Sequence, residues 1–586
     1  MKASQPLKAP QKNRVGRLPF ELGFWLIIPR FEYDHGEMNR MSLSESDYRI
    51  PLMIGVTGHR DIRSEDYDAI CERVRVFFKG IQLKFPHTPL KVYCGLAAGA
   101  DQLVAQVALE NQLELVPVLP MPIDLYTQDF CSDPAARNVF EKLMKSCPKH
   151  IELPLVAGTT GEDISADTSR SGVHAKAQYA MLGNFLAVRC QLLLTLWDGV
   201  EATEVGGTGF TVDSKLKGRL EGDAALVDPI EGGLVYWIPV QRRSRPSLQD
   251  QRKEGYVPIG PKKALVDALH EIERYNAVPN KAIDSSNKLE CAFAHADSLA
   301  ILFQRQVRRL RNVTFGCVVT LVCSYGIYSE YDHRQIALII YFLALVTGSL
   351  IWLFDRKRAV EQRFLDYRTL AEALRIQNMW TQNKVDRSVA DYYLRKHRQG
   401  LRWIRFALRA FATTEAIIQL LHIRRTVVKG TDSDSGFPHG QAWMNDQHEY
   451  FKRTLRSRES NVNKLQLASK MLYALGLLAA FTALGIPFLE IVKMREHEII
   501  FLMGALPALA GTLGAWVKQA ALGEEALHAR SMETLFSLAL EEWARPESQC
   551  SRRAILEHLG KEALQENADW LALRRSRPLE APLGAG

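Results

Sequence analysis

Four uncharged apolar runs limit what this chain can fold into. Asn312–Tyr328, Gln335–Phe354, Met471–Leu489 and Ile499–Val517 hold 17, 20, 19 and 19 residues, with no Asp, Glu, Lys or Arg in any of them. At about 1.5 Å per residue, helices of that length cross a hydrocarbon core of roughly 30 Å. The runs are paired, with only Ser329–Arg334 and Glu490–Glu498 between partners. Core helices of a large soluble protein are the competing reading, but pairs joined by short polar turns fit membrane hairpins better. The expectation is a helical membrane region with four transmembrane helices in two hairpins.

The flanks set an orientation. Arg305, Arg308, Arg309 and Arg311 precede the first run, and Arg356, Lys357 and Arg358 follow the second. Basic flanks stay in the cytoplasm, so both ends of the first hairpin are expected there. The second hairpin agrees less strongly: Arg456, Arg458, Lys464, Lys470 and Lys518 flank it, but Lys493 and Arg495 sit in its turn. Leu18–Pro29 is apolar, yet Glu21 interrupts it and no small-residue cleavage site follows, so it is expected to pack as an extra strand or helix. The N-terminal, central and C-terminal regions are all expected in the cytoplasm. The nine cysteines form no C-x-x-C pair, which argues for a reducing compartment and against disulfide or zinc frameworks. A net charge of +8 without a basic tail suits a membrane surface as readily as nucleic acid, and no specific nucleic-acid partner is expected.

Ahead of the apolar runs the chain alternates. Leu52–Val56, Leu90–Cys94, Leu115–Leu119, His150–Leu155, Gln191–Trp197 and Gly233–Val240 read as strands. Ser64–Phe85, Gln102–Gln112, Asn138–Cys147 and Val173–Cys190 read as helices, and Ala157–Gly172 as a loop. Strands alternating with helices predict an α/β fold with a doubly wound parallel sheet. The expected organisation is an extension over 1–50, a nucleotide-binding domain over 51–260 and a helical connector over 262–311. The first hairpin then covers 312–354, a cytoplasmic helical region 355–470 with a linker near 426–440, the second hairpin 471–517, and C-terminal helices 518–586. A helix beginning near Val360 is expected to run straight out of the membrane. A comparable helix over Glu524–Trp543 follows the second hairpin, so the two halves read as divergent copies of one unit.

Three glycine-rich turns should converge at the strand ends. The first is Thr57-Gly58-His59-Arg60 and the second is Gly95-Leu96-Ala97-Ala98-Gly99-Ala100-Asp101. The third combines Asp198-Gly199 with Gly206-Gly207-Thr208. Turns almost without side chains expose backbone N–H groups, and a helix N-terminus favours an anion. Arg60 can neutralise phosphate, Thr208 adds a hydroxyl, and Asp198 can orient a base or sugar or order its own turn. Asp101 can cap the following helix or bind a ribose hydroxyl. His59 fits a turn residue better than a catalyst. No catalytic residue, metal site or tightly bound cofactor is expected; the ligand is nucleotide-derived.

These motifs resemble the SLOG superfamily. It includes the lonely-guy cytokinin-activating enzymes, the DNA-uptake protein DprA, the N-terminal region of TRPM channels and bacterial immune sensors. The resemblance spans about residues 51–240 and implies a Rossmann-like fold binding a nucleotide or ADP-ribose-like ligand. By position, its contacts fall on Gly58, Gly95, Ala98, Gly99, Asp101, Gly206, Gly207 and Thr208. The hairpin regions, through Tyr367–Arg375 and Gly504–Ala508, are similar to SLATT two-pass effector modules. Together these imply anti-phage defence at a bacterial inner membrane. A nucleotide signal, made by a genetically linked enzyme, would trigger membrane breach by a homo-oligomer. Enzymes of the superfamily carry a glutamate three residues after the Thr of their glycine turn; here that position is Thr211. Sensing is therefore expected over hydrolysis, with a membrane-anchored nucleotide or NAD-derivative hydrolase as the alternative. Gly99→Glu is expected to block the ligand while leaving the fold intact.

Overall fold

The computed structural model describes residues 48–167, 172–200, 205–218, 232–244, 254–258, 262–279, 287–331, 334–393, 401–414, 416–418, 438–484, 495–545 and 552–575. Nearly all of the N-terminal extension, most of the linker near 426–440 and much of the turn at 490–498 lie outside them.

Among the described residues, seven strands form one sheet: β1 (Leu52–Gly58), β2 (Leu90–Cys94), β3 (Glu114–Leu119), β4 (Ile151–Glu152), β5 (Leu192–Trp197), β6 (Leu234–Pro239) and β7 (Gly255–Pro258). Their order is β4-β3-β2-β1-β5-β6-β7. The strands β1 to β6 run parallel, while β7 pairs antiparallel with β6, so the sheet is mixed rather than wholly parallel. An antiparallel edge strand needs no crossover helix, and one as short as β7 can close the sheet. Central strands β1 and β5 are buried over Leu52–Val56 and Leu192–Leu196, as continuous apolar runs require.

Helices fill the crossovers: α1 (Tyr67–Lys84), α2 (Ala100–Glu110), α3 (Ile123–Tyr126), α4 (Pro134–Ser146), α5 (Gly161–Ala166), α6 (Val173–Arg189) and α7 (Thr208–Lys217). Helix α4 starts earlier than its apolar spacing suggests, because Asp133 accepts the Ala136 N–H at 3.0 Å and Pro134 fits the first turn. Helix α5 interrupts the expected loop at 157–172. Thr160 and Asp163 satisfy each other's backbone N–H groups there as a capping box.

The helical region comprises α8 (Lys262–Asn276), α9 (Lys288–Glu330), α10 (Arg334–Arg358), α11 (Val360–Gln382), α12 (Val389–Tyr392), α13 (Arg402–Phe411), α14 (Pro438–Ala483), α15 (Glu496–Gln519), α16 (Leu522–Ala544) and α17 (Arg552–Arg575). Among the described residues, four helical stretches are long and apolar enough to cross a membrane. They lie on α9, α10 and α14 and on a stretch that starts with α15. Each half repeats one plan. A long helix packs against the apolar helix that follows it, α9 on α10 and α14 on α15. A single left-handed alanine then breaks the chain, Ala359 at φ 48° and Ala521 at φ 50°, and α11 or α16 folds back onto the long helix. The helix expected to continue straight from the first hairpin therefore turns at Ala359. Within the second half Gly476 lies against Pro507, where a Cβ would come within 2.6 Å of the proline ring.

The helical region holds the sheet at its amino edge. The Asn276 side chain, at the end of α8, accepts the Ile50 N–H at 2.8 Å and donates to the Ile50 carbonyl at 2.9 Å and the Thr88 hydroxyl at 3.1 Å. Gln191, just before β5, accepts the Met53 N–H at 2.7 Å and donates to the Phe406 carbonyl of α13 at 3.1 Å. Arg189 donates to the Arg409 carbonyl at 3.2 Å and to that of Ala412. These contacts leave the carboxyl edge of the sheet to the glycine turns. Replacing Asn276 with Ala orphans two buried backbone groups, and the expected loss is about 2–4 kcal/mol in the unfolding free energy of the detergent-solubilised chain. An unchanged denaturation midpoint would show that this clasp carries no stability.

Candidate functional site at the carboxyl edge of the sheet

Strand order reverses between β1 and β5, and the turns after β1, β2 and β5 sit at that reversal. In open α/β sheets the crevice at such a switch point receives ligands. The turns are joined to one another. Gly99 adopts φ 84° to begin α2, and a Cβ there would lie 2.3 Å from the Arg60 carbonyl oxygen. A Cβ on Gly58 would lie 2.4 Å from the Ala100 Cβ, and the Ala100 N–H donates to the His59 carbonyl at 3.1 Å. The His59 N–H donates to the Leu196 carbonyl at 3.1 Å, and its Nε2 lies 3.0 Å from Asp198 Oδ1. Gly206, at φ 90°, presses on α6: a Cβ would meet the Lys176 carbonyl at 2.5 Å.

Side chains behind the turns hold them in place. The Arg60 guanidinium sits 5.0 Å over the Tyr179 ring and 3.4 Å from Asp129 Oδ2, which also accepts the Tyr179 hydroxyl. The Tyr126 hydroxyl donates to the Gly95 carbonyl at 2.9 Å. Asp198 accepts the Val200 N–H at 3.1 Å, and Arg242 approaches its second oxygen at 4.0 Å. Burial lowers the His59 pKa despite the adjacent carboxylate, so its imidazole is neutral at pH 7. Tyr179, Asp129, Tyr126 and Arg242 carry no local sequence signal, because only the fold brings them to the turns.

The predicted site residues thus divide. Gly58, His59, Arg60, Ala97, Ala98, Gly99, Asp198, Gly206 and Thr208 are partly exposed around the crevice, and Gly207 is exposed. Gly95 and Asp101 are buried. Asp101 does not cap α2; Gly99 holds the N-cap position, and Asp101 Oδ2 reaches back to the Ala97 N–H at 3.4 Å. Nor is Gly99→Glu a clean block, since any side chain would collide with the Arg60 backbone. Gly207 is the better position: among the described residues no atom lies within 4 Å of a Cβ built there, and it is the N-cap of α7. The first-turn N–H groups of α7 have no intrahelical acceptor and favour an anion. Thr211 is buried, its hydroxyl 3.3 Å from the Gly207 carbonyl and close to Gly183. Asp213 is exposed and pairs with Lys217 at 2.6 Å. Neither puts a carboxylate into the crevice. Among the described residues no cluster of His, Cys, Asp and Glu is placed to hold a metal. No protein-family model, curated protein or solved structure matches this chain.

Burial raises the Asp101 carboxyl from 3.8 to about 7, only partly offset by the Ala97 N–H and Arg60. Between those values the folded chain keeps a proton that the unfolded chain releases, so stability falls as pH rises from about 4 to 7. The expected slope from this group is up to about 1.4 kcal/mol per pH unit. Denaturation of the full chain across that window should show it, and Asp101→Asn should flatten it. Equal slopes in the two proteins would contradict the assignment.

Proposed function

We propose that this chain is a nucleotide-sensing membrane effector of the SLOG–SLATT kind, working in bacterial anti-phage defence at the inner membrane. A nucleotide-derived signal, ADP-ribose-like or cyclic, binds the carboxyl edge of the Rossmann-like sheet. The observation carrying this reading is the set of interlocked turns at the strand-order reversal, with the open N-terminus of α7 beside them. Phosphate lies against Ala97, Ala98, Gly207 and Thr208, and Arg60 supplies counter-charge. The four apolar helices insert as two hairpins with the sheet in the cytoplasm, and the bound state shifts the hairpins toward a permeable arrangement. A homo-oligomer is supported by Gly504, Ala508, Gly511 and Ala515, which lie exposed at helical spacing on α15. Among the described residues no atom lies within 4 Å of a Cβ built on Gly504 or Gly511, which leaves room for a close helix contact with a second copy.

A second reading, a membrane-anchored nucleotide or NAD-derivative hydrolase, is favoured by one observation. Neutral His59 beside Asp198 has the geometry of a base held by an orienting carboxylate. Thr211, turned away at the position of the superfamily's catalytic acid, weighs against it. The full chain in detergent, incubated with ADP-ribose and with cyclic AMP, separates the readings. Sensing predicts saturable binding of at least one nucleotide without product, and at least a tenfold loss of affinity in Gly207→Glu with the thermal midpoint kept. Product formation that His59→Asn abolishes would favour the hydrolase. Unaltered affinity in Gly207→Glu would remove the ligand from this edge.

A further inference from the structure

A cavity of about 410 Å³ lies within the helical region, and no residue of the sheet lines it. Its walls come from both halves: α9 and α11 on one side, and α14, α16 and α17 on the other. Packed interiors close over voids much larger than a water, and a space of this volume is the size of a small-molecule site.

The lining is rich in donors. Arg375 Nε and Trp443 Nε1 are buried and meet no acceptor among the described residues. Glu372 is shared by Arg368 and Arg375, and Glu525 by Arg458 and Arg574. Asp297 also reaches Arg368, at 3.2 Å. Those two arginines outweigh burial and hold Glu372 below the usual carboxylate range, so it stays charged and its acceptor capacity is spent on them. Aromatic rings supply the remaining wall. Phe451 stacks on Phe536 at 5.8 Å, Trp443 meets Phe536 edge-on at 5.2 Å, and Phe364 meets Trp570 at 6.3 Å. Orphaned N–H donors need acceptors, arginines favour an anion, and ring walls favour a ring. Trp443 and Arg458 lie on one continuous helix, α14, at roughly 20–40 Å ahead of its apolar run, too far for a bilayer headgroup to reach.

We propose that this cavity is a second ligand site, taking a soluble small molecule in which a phosphoryl group is attached to an aromatic ring. The phosphoryl oxygens accept from Trp443 Nε1 and Arg375 Nε, and the ring packs against Phe451 and Phe364. Because the walls belong to both halves, the bound molecule ties together the helices that follow the two apolar hairpins.

The test is calorimetric titration of phenyl phosphate into the full chain in detergent. Saturable binding is expected, weakened about tenfold by Trp443→Phe, which keeps the ring and removes the N–H. Arg375→Lys, which keeps the charge facing Glu372 and removes the Nε donor, is expected to weaken it similarly. Thermal midpoints of both variants identify any general loss of fold. No saturable heat at millimolar phenyl phosphate would overturn the proposal. So would unchanged affinity in both well-folded variants, or binding lost only in Gly207→Glu, which would put the probe at the sheet.

Discussion

The apolar surface on the long helices constrains the rest of the molecule. On α10, Ile339, Phe342 and Leu343 are 59%, 61% and 55% exposed, and on α14 Leu478 and Phe481 are 59% and 73% exposed. Contiguous apolar surface of that extent needs a bilayer or another chain. Glycine contacts such as Gly476 on Pro507 bring the apolar helices together without covering their outer faces. Once those helices are assigned to a membrane, everything else must hang from their polar ends. The left-handed alanines at 359 and 521 do this, turning α11 and α16 back along their own long helices.

The sheet hangs from that scaffold by its amino edge. Asn276, Gln191 and Arg189 pin the starts of the central strands to α8 and α13, and Trp403 of α13 donates to Asp366 of α11 at 3.2 Å. The glycine turns occupy the other edge, about one strand length away, roughly 20 Å. On the proposed function, a ligand at the turns would act on the helical region through the strands and the helices clasped beneath them. The cavity between the two halves is lined by none of the residues of that clasp. If it takes the ligand proposed for it, the helical region has a binding surface of its own, separate from the glycine turns.

Much of this was legible in the sequence. Apolar runs bounded by glycine and proline located β1 to β6, and four uncharged runs located the long helices. The order of turns after strands located the crevice. Other features were hidden for identifiable reasons. Strand β7 is four residues long and takes its meaning only from β6 beside it. Alanine carries no turn signature, so the breaks at Ala359 and Ala521 leave no mark in the sequence. The Thr160–Asp163 capping box has a readable spacing, but it sits in a loop of small polar residues that masks it. Asp101 reads as a helix cap from its position and is instead a buried brace, a role set by Gly99 taking the cap. The Arg60–Asp129–Tyr179 group and the His59–Asp198 pair join segments distant in sequence, which no local pattern records.

Release of a small dye from liposomes reconstituted with the full chain, measured on adding whichever nucleotide it binds, tests most directly whether sensing drives membrane breach. Nucleotide-dependent release that tracks occupancy, and is absent from protein-free liposomes, is the predicted result. Full occupancy with the dye retained would contradict it and leave the helices as anchors.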